Sequence, residues 1–205
     1  MDCKAKIDKS KHLFYGLIPA RSGSKGIINK NIKDFNGKPL MNWSINASNN
    51  SSYISRTFIS TDSNEYGIIA KECGAEVLRL RPLELADDLS TDYECLIDFI
   101  EQLKENNIQL PNAIVQLRPT FPNRNSQMID IMISEFDNNW EGYDSFRTVI
   151  PVEKTPFKMY TIQDGSLNPI VKQYKSIHEP YNQPRQILPQ TYLHNGCVDI
   201  IKTKT

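Results

Sequence analysis

Between Pro19 and Asn31 the chain reads Pro-Ala-Arg-Ser-Gly-Ser-Lys-Gly-Ile-Ile-Asn-Lys-Asn, placing three cations and two glycines in one short stretch. Backbone N–H groups in a glycine-rich loop, flanked by lysine and arginine, suit an anion as dense as a triphosphate. Glycine lets the chain approach phosphate oxygens closely, Arg21 can fork two of them, and Lys25 and Lys30 supply compact charges. The bland alternative is a solvated basic turn. The stretch is neither a Walker A loop nor the glycine fingerprint of a dinucleotide fold, because neither spacing is present.

Other side chains have two readings each. Asp62, in Ser60-Thr61-Asp62-Ser63, could hold a ligand at a strand end, but that run also makes a turn and a helix cap, and capping is the favoured role. Asp199 reads as a surface position on an edge strand, with a metal ligand as the rival. His178 lies in a polar stretch and His194 beside Asn195; a lone histidine is more often structural or exposed, and that is the expectation for both, with a substrate contact the alternative for His194. Tyr160, Tyr174 and Tyr181 could stack on a sugar or base or form a subunit contact. Trp43 and Phe35 are expected in the core. Cys3, Cys73, Cys95 and Cys197 are scattered without metal-ligand or disulfide spacing, which fits a reducing compartment.

A loop of this kind needs a sheet to hold it. The 205 residues suffice for one globular domain, and 39% hydrophobic with 23% charged residues is ordinary for a soluble one. The 24 basic and 24 acidic residues balance, so no global field draws in nucleic acid and any anion site is local. The lysine-rich start lacks a secretory apolar region, and no apolar run approaches the roughly 20 residues of a membrane span. A cytoplasmic protein with no membrane partner is expected.

Apolar runs alternate with helical patterns, the mark of βαβ units and a mostly parallel sheet with flanking helices. Strands are expected at Leu13–Pro19, Arg56–Ser60, Glu76–Arg79, Ala113–Leu117, Ser145–Pro151 and Tyr192–Ile201, and helices at Met41–Asn49, Asn64–Cys73, Thr91–Asn106 and Met128–Phe136. Ligand groups in such α/β sheets gather at the carboxyl ends of the strands. From Val152 to Gln190 periodicity fades and prolines recur, as in an extended insertion or docking arm.

The stretch Leu17–Leu40, LIPARSGSKGIINKNIKDFNGKPL, closely resembles the signature of the CMP-sugar synthetases, cytidylyltransferases that activate acylneuraminate and related sugar acids. Further matches follow in order at Ser60–Ser63, Arg81–Asp88, Arg118–Pro122, Pro184–Pro189 and Asn195-Gly196, covering nearly the whole chain. The resemblance implies an α/β nucleotide-diphospho-sugar transferase (Rossmann-like) fold and a homodimer in which residues 152–190 form a dimerisation arm. It implies transfer of CMP from CTP to a sugar acid, with pyrophosphate released and Mg²⁺ as cofactor. Arg21, Lys25 and Lys30 match catalytic positions. Ala20, Arg21, Ser22, Ser24, Lys25, Asn31, Ala86 and Asp88 match nucleotide-binding ones, and Arg118, Lys158, Arg185, Gln186 and Asn195 the sugar side.

Three departures stand out. Sialic acid members carry glutamine where this chain has Arg118, and a carboxylate-pairing arginine where it has Leu193. Either Arg118 takes over the carboxylate or the sugar differs. The family's metal-binding Asp-x-Asp falls beyond Thr205, so the metal ligands stay unassigned. The alternatives are a nucleotidyltransferase using another NTP, such as GTP, with a sugar 1-phosphate, or a catalytically weak nucleotide-binding fragment.

Overall fold

The computed structural model describes residues 10–204. The chain divides into two compact units, one formed by residues up to 147 and from 196 onward, the other by Thr148–Asn195. The expected 152–190 segment lies wholly inside the second unit.

The strands are β1 (Phe14–Pro19), the short pair β2 (Asp34–Phe35) and β3 (Lys38–Pro39), β4 (Ile54–Ser60), β5 (Ala113–Gln116), β6 (Ser145–Val152), β7 (Tyr160–Gln163), β8 (Ser166–Pro169), β9 (Gln173–Tyr174), β10 (Ile177–His178) and β11 (Thr191–Lys202). The α-helices are α1 (Leu40–Asn49), α2 (Asn64–Glu72), α3 (Asp92–Glu105) and α4 (Ser126–Asn138). One five-stranded sheet runs in the order β4-β1-β5-β11-β6, with β4, β1 and β5 parallel and β11 antiparallel to β5. The fold is the mixed, mostly parallel α/β arrangement expected.

Local chemistry explains where the elements begin. Thr91 and Glu94 close a capping box at the start of α3, and the side chains of Ser63 and Asn125 cap α2 and α4. β1 and β5 are apolar and buried almost throughout, as strands covered on both faces must be. Period-two alternation deals their side chains to two layers. Phe14, Ile18, Val115, Val198 and Ile200 pack with α1, α2 and α4, while Tyr15, Leu17, Phe58 and Ile114 pack with Phe99 and Leu103 of α3.

Gly16 sits where β1 meets α1. A Cβ there would lie 2.2 Å from Ser48 Oγ, which is fully buried and bonded to Thr57 Oγ1 at 2.8 Å. Gly16→Ala is expected to cost about 1–2 kcal/mol, read as a lower urea midpoint at unchanged m.

Several sequence expectations are corrected. Glu76–Arg79 is not a strand: only Glu76 bridges to Phe58, and Arg79 is drawn off the sheet edge to Asp98 and Glu105 of α3. Phe35 and Trp43 are not core residues. Phe35 is exposed on the β2–β3 hairpin, and Trp43 is only partly buried against it, edge to face, donating its indole N–H to the Phe35 carbonyl at 3.0 Å. Asp199 is not on a surface edge; it is 1% exposed on β11, an interior strand of the sheet. Cys73, Cys95 and Cys197 are free thiols, and Cys3 lies outside the described residues. No helix among the described residues is long and apolar enough to cross a membrane.

The second unit is built from the hairpins β7–β8 and β9–β10 and short 3-10 turns around buried Phe157 and Pro180. Its aromatics pair among themselves, Phe157 with Tyr174 and Tyr160 with Tyr181.

Candidate active site

The loop after β1 is shaped by groups far along the chain. The Ala20 N–H donates to the Ser60 carbonyl at 2.9 Å, continuing the β1–β4 pairing. Asp62, expected to cap α2, instead receives the Ser22 N–H at 2.8 Å and the Ser22 hydroxyl at 2.6 Å, while Ser63 does the capping. Asn31 is buried and donates its amide to the Arg21 carbonyl at 3.0 Å. Ala20, Ser22 and Asn31 thus hold the loop open in a defined curve. Gly23 and Gly26 face open space, where a Cβ would meet nothing within 4 Å.

This curve forms one wall of a cleft of about 380 Å³. Arg21, Ser24, Lys25, Lys30 and Asn31 line that wall. The opposite wall comes from the start of α3, with Thr91, Asp92 and Cys95, and from the turn after β5, with Arg118. The N-terminus of a 14-residue helix therefore borders the same space as the cations, and both favour an anion. Arg81, not singled out from the sequence, also lines the cleft; it is buried and held by the Ser60 carbonyl at 2.7 Å and hydroxyl at 3.0 Å.

Ala86 and Asp88 are not on the cleft wall; they stand against Arg21. The guanidinium donates to the Ala86 carbonyl at 3.3 Å and to Asp88 at 2.7 Å, and Lys25 pairs with the other Asp88 oxygen. Hydrogen bonds from Lys25 and Arg21 hold the Asp88 carboxyl below the usual carboxylate range. Asp88 so occupies two of the cations assigned to the triphosphate.

Arg118 is brought to the cleft but is not a free carboxylate receptor. Its Nη1 donates to Asp199 at 2.5 Å and its Nη2 to Asp92, which also accepts from Gln116 at 2.8 Å. Burial alone would lower the Arg118 pKa, but the bonds to Asp199 and Asp92 outweigh it and raise the value, so the side chain stays cationic and balanced. Asp199 also accepts from Arg147 Nε at 3.1 Å. The turn carrying Arg118 is fixed from behind by buried Arg124, whose guanidinium donates to the carbonyls of Cys197, Arg118 and Gly196 and to the Ser44 hydroxyl. Burial pushes the Arg124 pKa down to about 10, still cationic at neutral pH.

The remaining sugar-side candidates belong to the second unit. Lys158 Nζ donates to the Tyr181 carbonyl at 3.1 Å, the Asn195 side chain accepts from the Thr148 hydroxyl at 2.7 Å, and Arg185 and Gln186 are exposed on a 3-10 turn. His178 is exposed and His194 partly buried. Arg81, Asp92, Arg124 and Arg147 were missed as individual site residues, because arginines and helix-start acids in single sequences look like ordinary surface charge.

No group of three histidine, cysteine, aspartate or glutamate side chains suited to a metal ion comes together among the described residues. Asp92 and Asp199 are engaged by Arg118 and Asp88 by Lys25 and Arg21. The described residues therefore do not fit an all-protein Mg²⁺ cage.

A family model described as Cytidylyltransferase matches residues 15–190. An N-acylneuraminate cytidylyltransferase of Streptococcus agalactiae is 32% identical over 192 residues, covering 92% of this chain and 43% of that protein. A pseudaminic acid cytidylyltransferase and UDP-2,4-diacetamido-2,4,6-trideoxy-beta-L-altropyranose hydrolase of Helicobacter pylori is 31% identical over 149 residues, covering 73% of this chain and 28% of that protein. The chain spans less than half the length of these two relatives. Among solved structures, CMP:2-keto-3-deoxy-manno-octonic acid synthetase complexed with CTP has a TM-score of 0.66 at 13% identity, covering 93% of this chain and 74% of that one, a likeness of fold. With its α/β sheet, its cation-lined loop after β1 and a family match running from residue 15 to 190, the chain belongs to the cytidylyltransferase family.

Proposed function

We propose that the chain transfers CMP from CTP to a hydroxyl of a sugar acid, an N-acylneuraminate or related nonulosonate, and releases pyrophosphate. The observation that carries this reading is the convergence of Arg21, Lys25 and Lys30 with the start of α3 on one cleft beside the end of β1. The names of the two relatives above support the nucleotide and the class of acceptor. In the reaction the sugar hydroxyl oxygen attacks the α-phosphorus and gives its proton to water, the bond from that phosphorus to the bridging oxygen breaks, and pyrophosphate departs with the electron pair. Charge spreads over phosphoryl oxygens, so positioning and fixed cations supply the catalysis.

The triphosphate displaces Asp88 from Arg21 and Lys25, exchanging one carboxylate for a denser anion on the same donors. Lys30 and Ser24 face the same space, and Asn31 keeps the Arg21 backbone in place. Because the described residues offer no carboxylate cage, Mg²⁺ would have to come with the nucleotide, where it would supply charge neutralisation to the phosphates. Lys158, Arg185, Gln186 and Asn195 meet the sugar in a cytoplasmic homodimer. Exposed Ile162, Leu167 and Ile170 on the second unit are the apolar surface such pairing would cover.

The test is pyrophosphate release by the purified protein with Mg²⁺, CTP and a panel of nonulosonic and octulosonic acids, with GTP and a sugar 1-phosphate as the control pair. Turnover is expected only with CTP and an acid. Activity confined to the control pair, or CTP binding without turnover on any acid, sinks the proposal.

A further inference from the structure

Asp199 is a buried carboxylate that the reaction just described does not use. It sits on β11 opposite Gln116 of β5, and its neighbours Val198 and Ile200 go to the layer of α1 and α4. Asp199 therefore points to the other face of the sheet, the one that carries α3 and the cleft. A buried charge is costly unless paired, and both its oxygens are taken, one by Arg118 Nη1 at 2.5 Å and the other by Arg147 Nε at 3.1 Å. The two arginines differ in what remains. Arg118 divides its fork between Asp199 and Asp92 and is only 20% exposed. Arg147 is bound through Nε alone, its side chain is 56% exposed, and among the described residues its Nη1 and Nη2 have no partner.

We propose that Arg147 receives the carboxylate of the acid co-substrate, with Asp199 as its positioning residue; this rests on the sugar-acid reading above. The Nη1–Nη2 edge of a guanidinium presents two parallel N–H donors, the geometry that a planar carboxylate accepts bidentately. Holding Nε on a rigid buried acid fixes the plane of that fork before the ligand arrives, which reduces the ordering cost of binding. The position of Arg147 on the cleft face of the sheet follows from its alternation with Phe146, which packs on Phe136 of α4. A carboxylate receptor here accounts for the absence of an arginine at position 193, a role that Arg118 cannot fill while its charge is balanced by two aspartates.

The experiment takes the acid with the highest turnover in the panel above, together with its C1 carboxamide, and measures KM for each and for CTP in the wild type, Arg147→Gln and Arg147→Lys. Arg147→Gln is expected to raise KM for the acid about tenfold or more, the scale of a lost charge-assisted pair, and to leave KM for CTP within about twofold. Wild-type preference for acid over amide should collapse by the same factor in Arg147→Gln and survive in part in Arg147→Lys. Equal shifts of both KM values, or an undiminished preference for acid over amide, overturn the assignment. So does a sugar 1-phosphate whose competition with the acid is what the substitution weakens. A panel with no active acid is a different result: it overturns the sugar-acid reading itself, and this assignment with it.

Discussion

Arg21→Ala is expected to lower turnover with CTP by about 10²–10³-fold, the loss typical of removing one fixed donor from a developing oxyanion. The same variant should unfold at nearly the wild-type temperature. Arg21 is about a third exposed, and its bonds go to Asp88, itself a third exposed, and to one backbone carbonyl, contacts of the kind that contribute little to stability. Loss of the guanidinium also leaves Asp88 facing only Lys25, so the negative group that a triphosphate would displace under the proposed reaction has less to neutralise it. Arg21→Lys should recover only part of the rate, because a single ammonium cannot fork two oxygens. Turnover of Arg21→Ala within a few-fold of wild type would remove this residue from the catalytic set.

The second large effect falls on stability. Arg124 is 4% exposed and satisfies three backbone carbonyls and a buried hydroxyl at the point where the turn after β5 meets β11. Arg124→Leu fills part of the volume but takes the guanidinium from all of these acceptors; the Arg118 carbonyl keeps the Ser44 hydroxyl and the Phe121 N–H, each at 3.3 Å, and each buried acceptor left short costs on the order of 1–3 kcal/mol. A net loss of about 3 kcal/mol or more is expected, seen as a lower urea midpoint, with Arg124→Lys recovering little because one ammonium cannot span four acceptors. Activity at temperatures where the variant stays folded should also fall, since the Arg118 carbonyl and the Gly196–Cys197 segment of β11, just before Asp199, lose their common anchor. A variant as stable as wild type would mean that water replaces the guanidinium there.

Much of this molecule can be read from the chain. β1, β5 and the helices announce themselves through continuous apolar runs, 3.6-residue periodicity and the Thr91–Glu94 capping box, because those signals depend on neighbours close in sequence. The composition of the loop from Ala20 to Asn31 likewise marks out a concentration of cations and glycines without reference to any distant residue. The short extension at Glu76 was legible only as a β-like run; its failure to become a strand depends on the pull of α3 acids on Arg79, some 19 to 26 residues further on.

The charge relations at the site belong to the tertiary structure alone. Arg118 read as a sugar-side residue able to take the substrate carboxylate, Asp62 as a helix cap and Asp199 as a surface acid, since a side chain's type says nothing of which distant groups fold against it. Folding brings Asp92, Arg118, Asp199 and Arg147 together across β5, β11, β6 and the start of α3, burying one carboxylate between two guanidiniums. What the sequence determines by itself is therefore the fold class, the cation- and glycine-rich loop after β1 and the family. Which cations are already neutralised and which still present open donors is decided by pairings 26 to 81 residues apart, because electrostatic energy depends on distance and burial in space, not on order along the chain.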